Sequence, residues 1–270
     1  CGSNFKMLSS VSGIFSMMAY LIGFIYLGTK LLKETGFNQS LLKKIALLAI
    51  ILHGSAAVNL LFTGQGLDLS LFIILVLIAF VINVIVFISG QNKPLHSMYL
   101  ALFPISAISL ALALITPSTK PVITLSSYIQ VHVLASILAY SLLAFAALQA
   151  LLTGYQNWQL KHKRQNLLMR TFPPLQTMEE FLFELIWAGE ALLTLSLISG
   201  FLFYEDLFDQ KLLHKVTLSI VAWGVYGILL WGRHSRGWRG IKAISWSLVG
   251  FSAILMGYIG SKIVLEFILA

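Results

Sequence analysis

A single cysteine, Cys1, is all the sulfhydryl chemistry that this 270-residue chain holds. It excludes an internal disulfide, a cysteine metal cluster and a CxxC dithiol from the body of the protein. Charge is scarce as well. Asp, Glu, Lys and Arg make up 10% of residues against 58% apolar, and the mean hydropathy of +0.88 lies far outside that of a soluble globular domain. There is also no convincing internal repeat, low-complexity tract, Gly-rich phosphate loop, HExxH pattern or GxSxG elbow, so the chain is expected not to be an enzyme. The formal net charge of +8 would suit nucleic acid only if the cations formed a surface. Instead they sit in short clusters between apolar runs, the pattern of topology-setting loops, and no nucleic-acid partner is expected.

What the chain does have is long apolar runs. Eight are read, at roughly 8 to 29, 45 to 63, 69 to 89, 97 to 115, 126 to 153, 180 to 203, 212 to 231 and 243 to 265, each near the ~20 residues that cross a ~30 Å hydrocarbon layer. The expected fold class is all-α, a polytopic membrane helix bundle forming one transmembrane domain over residues 1–270. Residues 1–6 are read as an upstream remnant ahead of Met7, since no signal peptide supports acylation of Cys1. The longest connection, Gly154 to Met178, is basic and is expected along the cytoplasmic surface. Pro104 and Pro117 bracket the fourth run as kinks or stops. The loops after runs one, three, five and seven carry 13 of the 18 Lys and Arg residues, which by the positive-inside rule puts both termini on the periplasmic side.

Within this frame the histidines are the informative residues. The run from Ser126 to Leu152 has no charged side chain but carries His132 about one and a half turns from its start. An imidazole there needs a partner, either a hydrogen-bonding neighbour or a metal or haem ligated at the membrane face. With the topology above, His132 and His214 both fall at outer helix ends, where two imidazoles could hold a haem iron axially; the alternative for each is a bond to a carbonyl or a lipid head group. His53 lies near the middle of the second run, with Asn83 and Glu190 at comparable depth as candidate partners. His96, His162 and His234 fall in basic inner loops and are read as solvated. Trp223 and Trp246 are deep enough in their runs for core packing to be expected.

The last third, HKVTLSIVAWGVYGILLWGRHSRGWRGIKAISWSLVGFSAILMGYIGS, with its aromatic helix, GWRG basic loop and GF…Y.G helix, resembles the cytochrome c assembly family of haem-handling membrane proteins (CcsA, CcmC and CcmF type). QVHVLASILAY, with His132, is similar to the family's HV…Y helix that bears an outer-face haem-ligating histidine. FPPLQTMEEFLFELIWAGEALLTLSLISG is similar to the short YpjD-type members. The resemblance covers most of the chain from Ser126 onward. It departs where the family's tryptophan-rich WWD platform is replaced by YEDLFDQKLLHK, where Trp231 stands at a membrane histidine's position, and where no second outer histidine follows the GF…Y.G helix.

The resemblance implies a haem-binding protein of the bacterial inner membrane, related to cytochrome c biogenesis factors. It would hold haem through His132 and, as a substitute ligand, His214, with His53 deeper in the bilayer. Lys215 would stand near the propionates, and an apocytochrome or another membrane protein would be the partner beside membrane lipids. The rival expectation is a haem-free transporter, or a transporter's regulatory partner, that keeps the fold and uses a midplane polar site at His53, Asn83 and Glu190. A third is a scaffold whose basic loops dock a cytoplasmic partner or anionic lipid.

Overall fold

The computed structural model of the protein describes residues 2–33, 36–63, 66–68, 70–116, 127–163, 172–203 and 210–263. They form eight long helices: α1 (Gly2–Leu32), α2 (Gln39–Leu61), α3 (Leu71–Ser89), α4 (Tyr99–Ile115), α5 (Ser127–Lys161), α6 (Leu175–Phe203), α7 (Gln210–Arg236) and α8 (Ile241–Ile263). Seven are long and apolar enough to cross a membrane, and the apolar part of α8, Ile241–Gly257, is shorter. The all-α membrane architecture expected from hydropathy is thus what the chain adopts. Large apolar side chains such as Ile25, Ile51, Ile88 and Leu202 are left exposed on helix surfaces, as a lipid-facing wall requires and water would penalise.

The chain divides into two compact units, residues Cys1–Leu125 with Arg170–Pro173, and Ser126–Met169 with Pro174–Ala270. In the first, α2 and α4 pack on α1, and α3 packs on α2 and α4. Tyr20, Leu42, Phe103 and Leu110 are fully buried there. Gly23 makes the α1–α4 approach possible, since a Cβ at this position would stand 2.5 Å from the Phe103 ring. Asn38 caps α2 by accepting from the Leu41 amide at 3.1 Å. A two-residue antiparallel ribbon, Phe62–Thr63 with Gly66–Leu67, follows α2, and Gly66, at φ 149, takes the backbone geometry that favours glycine.

In the second unit α5 packs along α6 and α8, and α7 along α6 and α8. The basic connection takes a different form from the one expected. α5 runs on to Lys161, and Thr153, Gln156 and Gln159 are buried along its extension. Spaced at three residues, they present one inward stripe, which makes Gly154 to Lys161 part of the packed helix. Residues 164–171 of that connection lie outside the described residues. Pro104 is a second correction: it sits inside α4, where it removes a backbone donor five residues after the helix start; Pro117 lies outside the described residues. The GWRG segment turns through two left-handed glycines, Gly237 at φ 63 and Gly240 at φ 59. The Gly240 amide then donates to Glu179 Oε1 on α6 at 2.9 Å, a carboxylate set at the start of α8.

Candidate functional site

His132 stands in the first turns of α5, half-buried against the last turns of α6. Its Nδ1 lies 2.9 Å from the Ser196 carbonyl oxygen and 3.2 Å from Ser199 Oγ. A carbonyl can only accept, so Nδ1 carries the proton, and in the neutral ring Nε2 keeps the lone pair. Around it the hydroxyls form a chain. Ser136 Oγ donates to the His132 carbonyl at 2.7 Å and pairs with Ser196 Oγ, while Ser199 Oγ donates to the Ser196 carbonyl at 2.9 Å. Gly200 lets the imidazole come this close to the α6 backbone, because a Cβ there would lie 3.0 Å from His132 Cε1.

The polar seam continues away from His132. Tyr140 Oη and Ser219 Oγ join α5 to α7 at 2.7 Å, and Trp223 Nε1 donates to Thr194 Oγ1 on α6 at 2.9 Å. This corrects the expected role of Trp223: its indole is 42% exposed and serves as a donor, because an indole N–H in an apolar layer must find an acceptor. Trp246 is also only half-buried, with its ring tilted against Trp238 at 5.4 Å. One turn further along α6, Glu190 is buried, its Oε2 has no hydrogen-bond partner, and its Oε1 faces Gly227 of α7.

Lys215, on the first turns of α7, lies in the same unit as His132, and its positive charge acts on the imidazole. His214 belongs to the same helix, but its side chain lies outside the described residues, as do residues 204–209 in place of the WWD platform. His53 is in the other unit and is fully buried. Its Nε2 lies 3.1 Å from the Val76 carbonyl and its Nδ1 2.9 Å from Tyr20 Oη. Nε2 therefore donates to α3, and Nδ1 accepts from α1. The partners expected for His53 were Asn83 and Glu190; it finds Tyr20 and a backbone carbonyl. Asn83 instead donates to Ser106 Oγ and the Ala79 carbonyl.

The donor set around His132 fits haem iron. A histidine that binds iron commonly donates its other ring N–H to a carbonyl, which fixes the tautomer, orients the ring and raises its basicity. His53 does not fit, because both of its nitrogens are already committed between helices. Among the described residues no group of three or more His, Cys, Asp or Glu side chains could hold a metal ion; haem asks for less, because the porphyrin supplies four of the iron's ligands. Of the remaining histidines, His162 and His234 are exposed as expected. His96 is half-buried, with its ring against Phe37 at 4.8 Å.

Sequence reasoning found His132 but not the serines that orient it. Ser136 is one helical turn beyond the histidine, and Ser196, Ser199 and Gly200 form a small-residue face on α6, a pattern visible in SLISG only once α5 and α6 are known to pack.

Long apolar helices, a charge-poor chain and a half-buried imidazole held at one helix end define a multi-pass integral membrane protein with a polar site near the membrane face. The family model for Cytochrome C assembly protein matches residues 41–269, and the chain belongs to that family. It is similar to the inner membrane protein YpjD of Escherichia coli strain K12, 30% identical over 261 residues, which are 96% of this chain and 99% of that one. It is also similar to Protein HemX of Brevibacillus brevis, at 24% over 199 residues, 73% of this chain and 67% of the relative. Cytochrome c biogenesis protein CcsA of Prochlorococcus marinus strain NATL1A is 32% identical over 91 residues, 33% of this chain and 29% of the relative. The protein is a multi-pass protein of the inner membrane.

Proposed function

We propose that this protein handles haem at the membrane, with His132 as the ligand that it offers to the iron. The single observation that carries this reading is the Nδ1–H bond from His132 to the Ser196 carbonyl. Haem would supply the iron coordination chemistry. The chain supplies a neutral imidazole with a fixed tautomer, a ring held against Gly200, and a cation, Lys215, suited to a propionate. The bonds from Nδ1 to Ser196 and Ser199 anchor the ring and put Nε2 in its acceptor form. His214 is the proposed second ligand, and holding and releasing haem needs no catalytic group.

The test is an absorption spectrum of the full chain purified from haem-replete cells. A Soret band is expected that is lost in His132→Ala and regained when His132→Gly is supplied with imidazole. A colourless wild-type protein of unaltered mass, or an unchanged band in both variants, would overturn the reading.

The transporter reading keeps one specific observation, the buried Glu190 with Oε2 unpartnered. An intramembrane carboxyl commonly marks an ion or substrate path. Glu190→Gln separates the two readings: a transport defect with haem content unchanged supports a midplane path, and a lost Soret band with transport intact supports the haem site.

A further inference from the structure

The seam between α6 and α7 holds a carboxyl that the described residues do not satisfy. Glu190 is only 7% exposed, and its Oε2 has no hydrogen-bond partner. The donors of that seam are committed elsewhere. Thr194 Oγ1 donates to the Glu190 main-chain carbonyl at 2.8 Å, Trp223 Nε1 to Thr194 Oγ1 at 2.9 Å, and Tyr226 Oη to the Ser247 carbonyl at 3.2 Å. Ionised or protonated, a carboxyl at this depth keeps an oxygen that must accept, and hydrocarbon supplies no water to meet it.

The opposite defect lies one turn away on the same helix. Trp187 is 62% exposed, and among the described residues nothing accepts from its indole N–H. It stands about two turns, roughly 10 Å, inside the span from Glu180, deeper than the headgroup level where an indole N–H finds water or phosphate. Across from Glu190, α7 is bare. A Cβ at Gly227 would lie 3.8 Å from Glu190 Oε1, and one at Gly224 would meet nothing within 4 Å. The exposed Trp223 and Trp231 flank these glycines in sequence. One face thus carries a knob with an unmet donor beside a hollow with an unmet acceptor.

We propose that this face pairs with the same face of a second copy of the chain, about a two-fold axis along the membrane normal. Trp187 of each copy enters the Gly224–Gly227 hollow of the other and donates to its Glu190. A two-fold interface requires a patch that complements itself, and a donor and an acceptor on one helix, in copies of one topology, meet that condition. Their three-residue offset is about 4.5 Å along α6, within the length of an indole side chain. Glycines let two backbones approach closely enough for the bond to form. An acyl chain in the hollow would leave both the carboxyl and the indole unmet. The interface is independent of His132 and of any haem.

Disulfide trapping in isolated membranes tests it, with the full chain carrying Cys1→Ser. Ala191→Cys, one turn from Trp187 on the same exposed face, is expected to give an oxidised band at twice the chain mass, while Ile51→Cys, exposed in the other unit, stays monomeric. In neutral detergent the dimer of Trp187→Phe should dissociate on the order of tenfold more readily, at about threefold for each of two symmetry-related bonds. That variant keeps a ring on an exposed surface, so folding is undisturbed. Gly224→Leu, which fills the hollow, should be monomeric. Glu190→Gln keeps an accepting oxygen and should stay dimeric, which separates the interface from a transport path through the same carboxyl. A wild-type chain that is monomeric by both measurements, equal trapping at positions 191 and 51, or Trp187→Phe and Gly224→Leu that dimerise as wild type overturns the proposal. So does an Ala191→Cys adduct to a different protein, since the occupant would then not be a second copy.

Discussion

Each of the two well-described helix-embedded histidines has a nitrogen bonded to a backbone carbonyl, and the second nitrogen decides what the residue can do. In His53 that nitrogen accepts from Tyr20 Oη, which makes the ring a tie joining α1, α2 and α3. His53→Ala would remove the hydrogen bonds that the ring makes with the buried Tyr20 hydroxyl and with the Val76 carbonyl, which keeps its bond within α3, at about 0.5–1.5 kcal/mol each. The expected result is a clear drop in the thermal unfolding midpoint in detergent, with the Soret band per folded molecule unchanged. In His132 the nitrogen bonded to the carbonyl is Nδ1, which puts Nε2 in the acceptor form that the proposed haem ligation requires. Gly200→Val puts a branched side chain where a Cβ alone would come to 3.0 Å from Cε1, so the ring must turn away from Ser196. Haem content is expected to fall several-fold while the helical circular dichroism stays at the wild-type level.

Helix packing in both units depends on glycines under rigid rings. A Cβ at Gly23 would stand 2.5 Å from Phe103, whose ring is stacked on Tyr99 at 4.6 Å and tilted on Tyr20 at 5.2 Å. Gly250 faces Tyr226 in the same way at 2.7 Å, and Tyr226 is tied to the Ser247 carbonyl. Neither ring can swing clear. Gly23→Ala should therefore destabilise by about 1–3 kcal/mol, read as an earlier unfolding midpoint, whereas Gly28→Ala, with its nearest neighbour at 3.9 Å, should be close to neutral. The helices themselves were legible because hydropathy is a property of a whole run: α3 and α4 begin within two residues of the positions read from sequence. The end of α5 was not, because Gln156 and Gln159 look like interface residues in the sequence and only the fold shows them buried. His132 was legible for an energetic reason, since an imidazole in an uncharged apolar run demands a partner. Its partner was not, since a backbone carbonyl 64 residues away leaves no mark on the sequence.

For the whole molecule, the arrangement of charge carries a statement about sidedness. Lys30 and Lys33 end α1, Lys43 and Lys44 begin α2, Lys93 joins α3 to α4, Lys161 ends α5, and Arg233, Arg236 and Lys242 lie between α7 and α8. The Glu–Asp-rich stretch after α6, YEDLFDQ, belongs to the opposite set of loops. Short cationic loops are retained in the cytoplasm, which would set the His132 end of α5 at the periplasmic face. Haem would then be held on the periplasmic side. Because Cys1 is the sole cysteine, Cys1→Ser gives a background on which single reporters can be placed. Asn92→Cys and Ser235→Cys, both exposed, should react with a membrane-impermeant maleimide only after the cells are permeabilised, and a cysteine at Asp206 should react in intact spheroplasts. The reverse pattern would place His132 in the cytoplasm and require haem to be handled there instead.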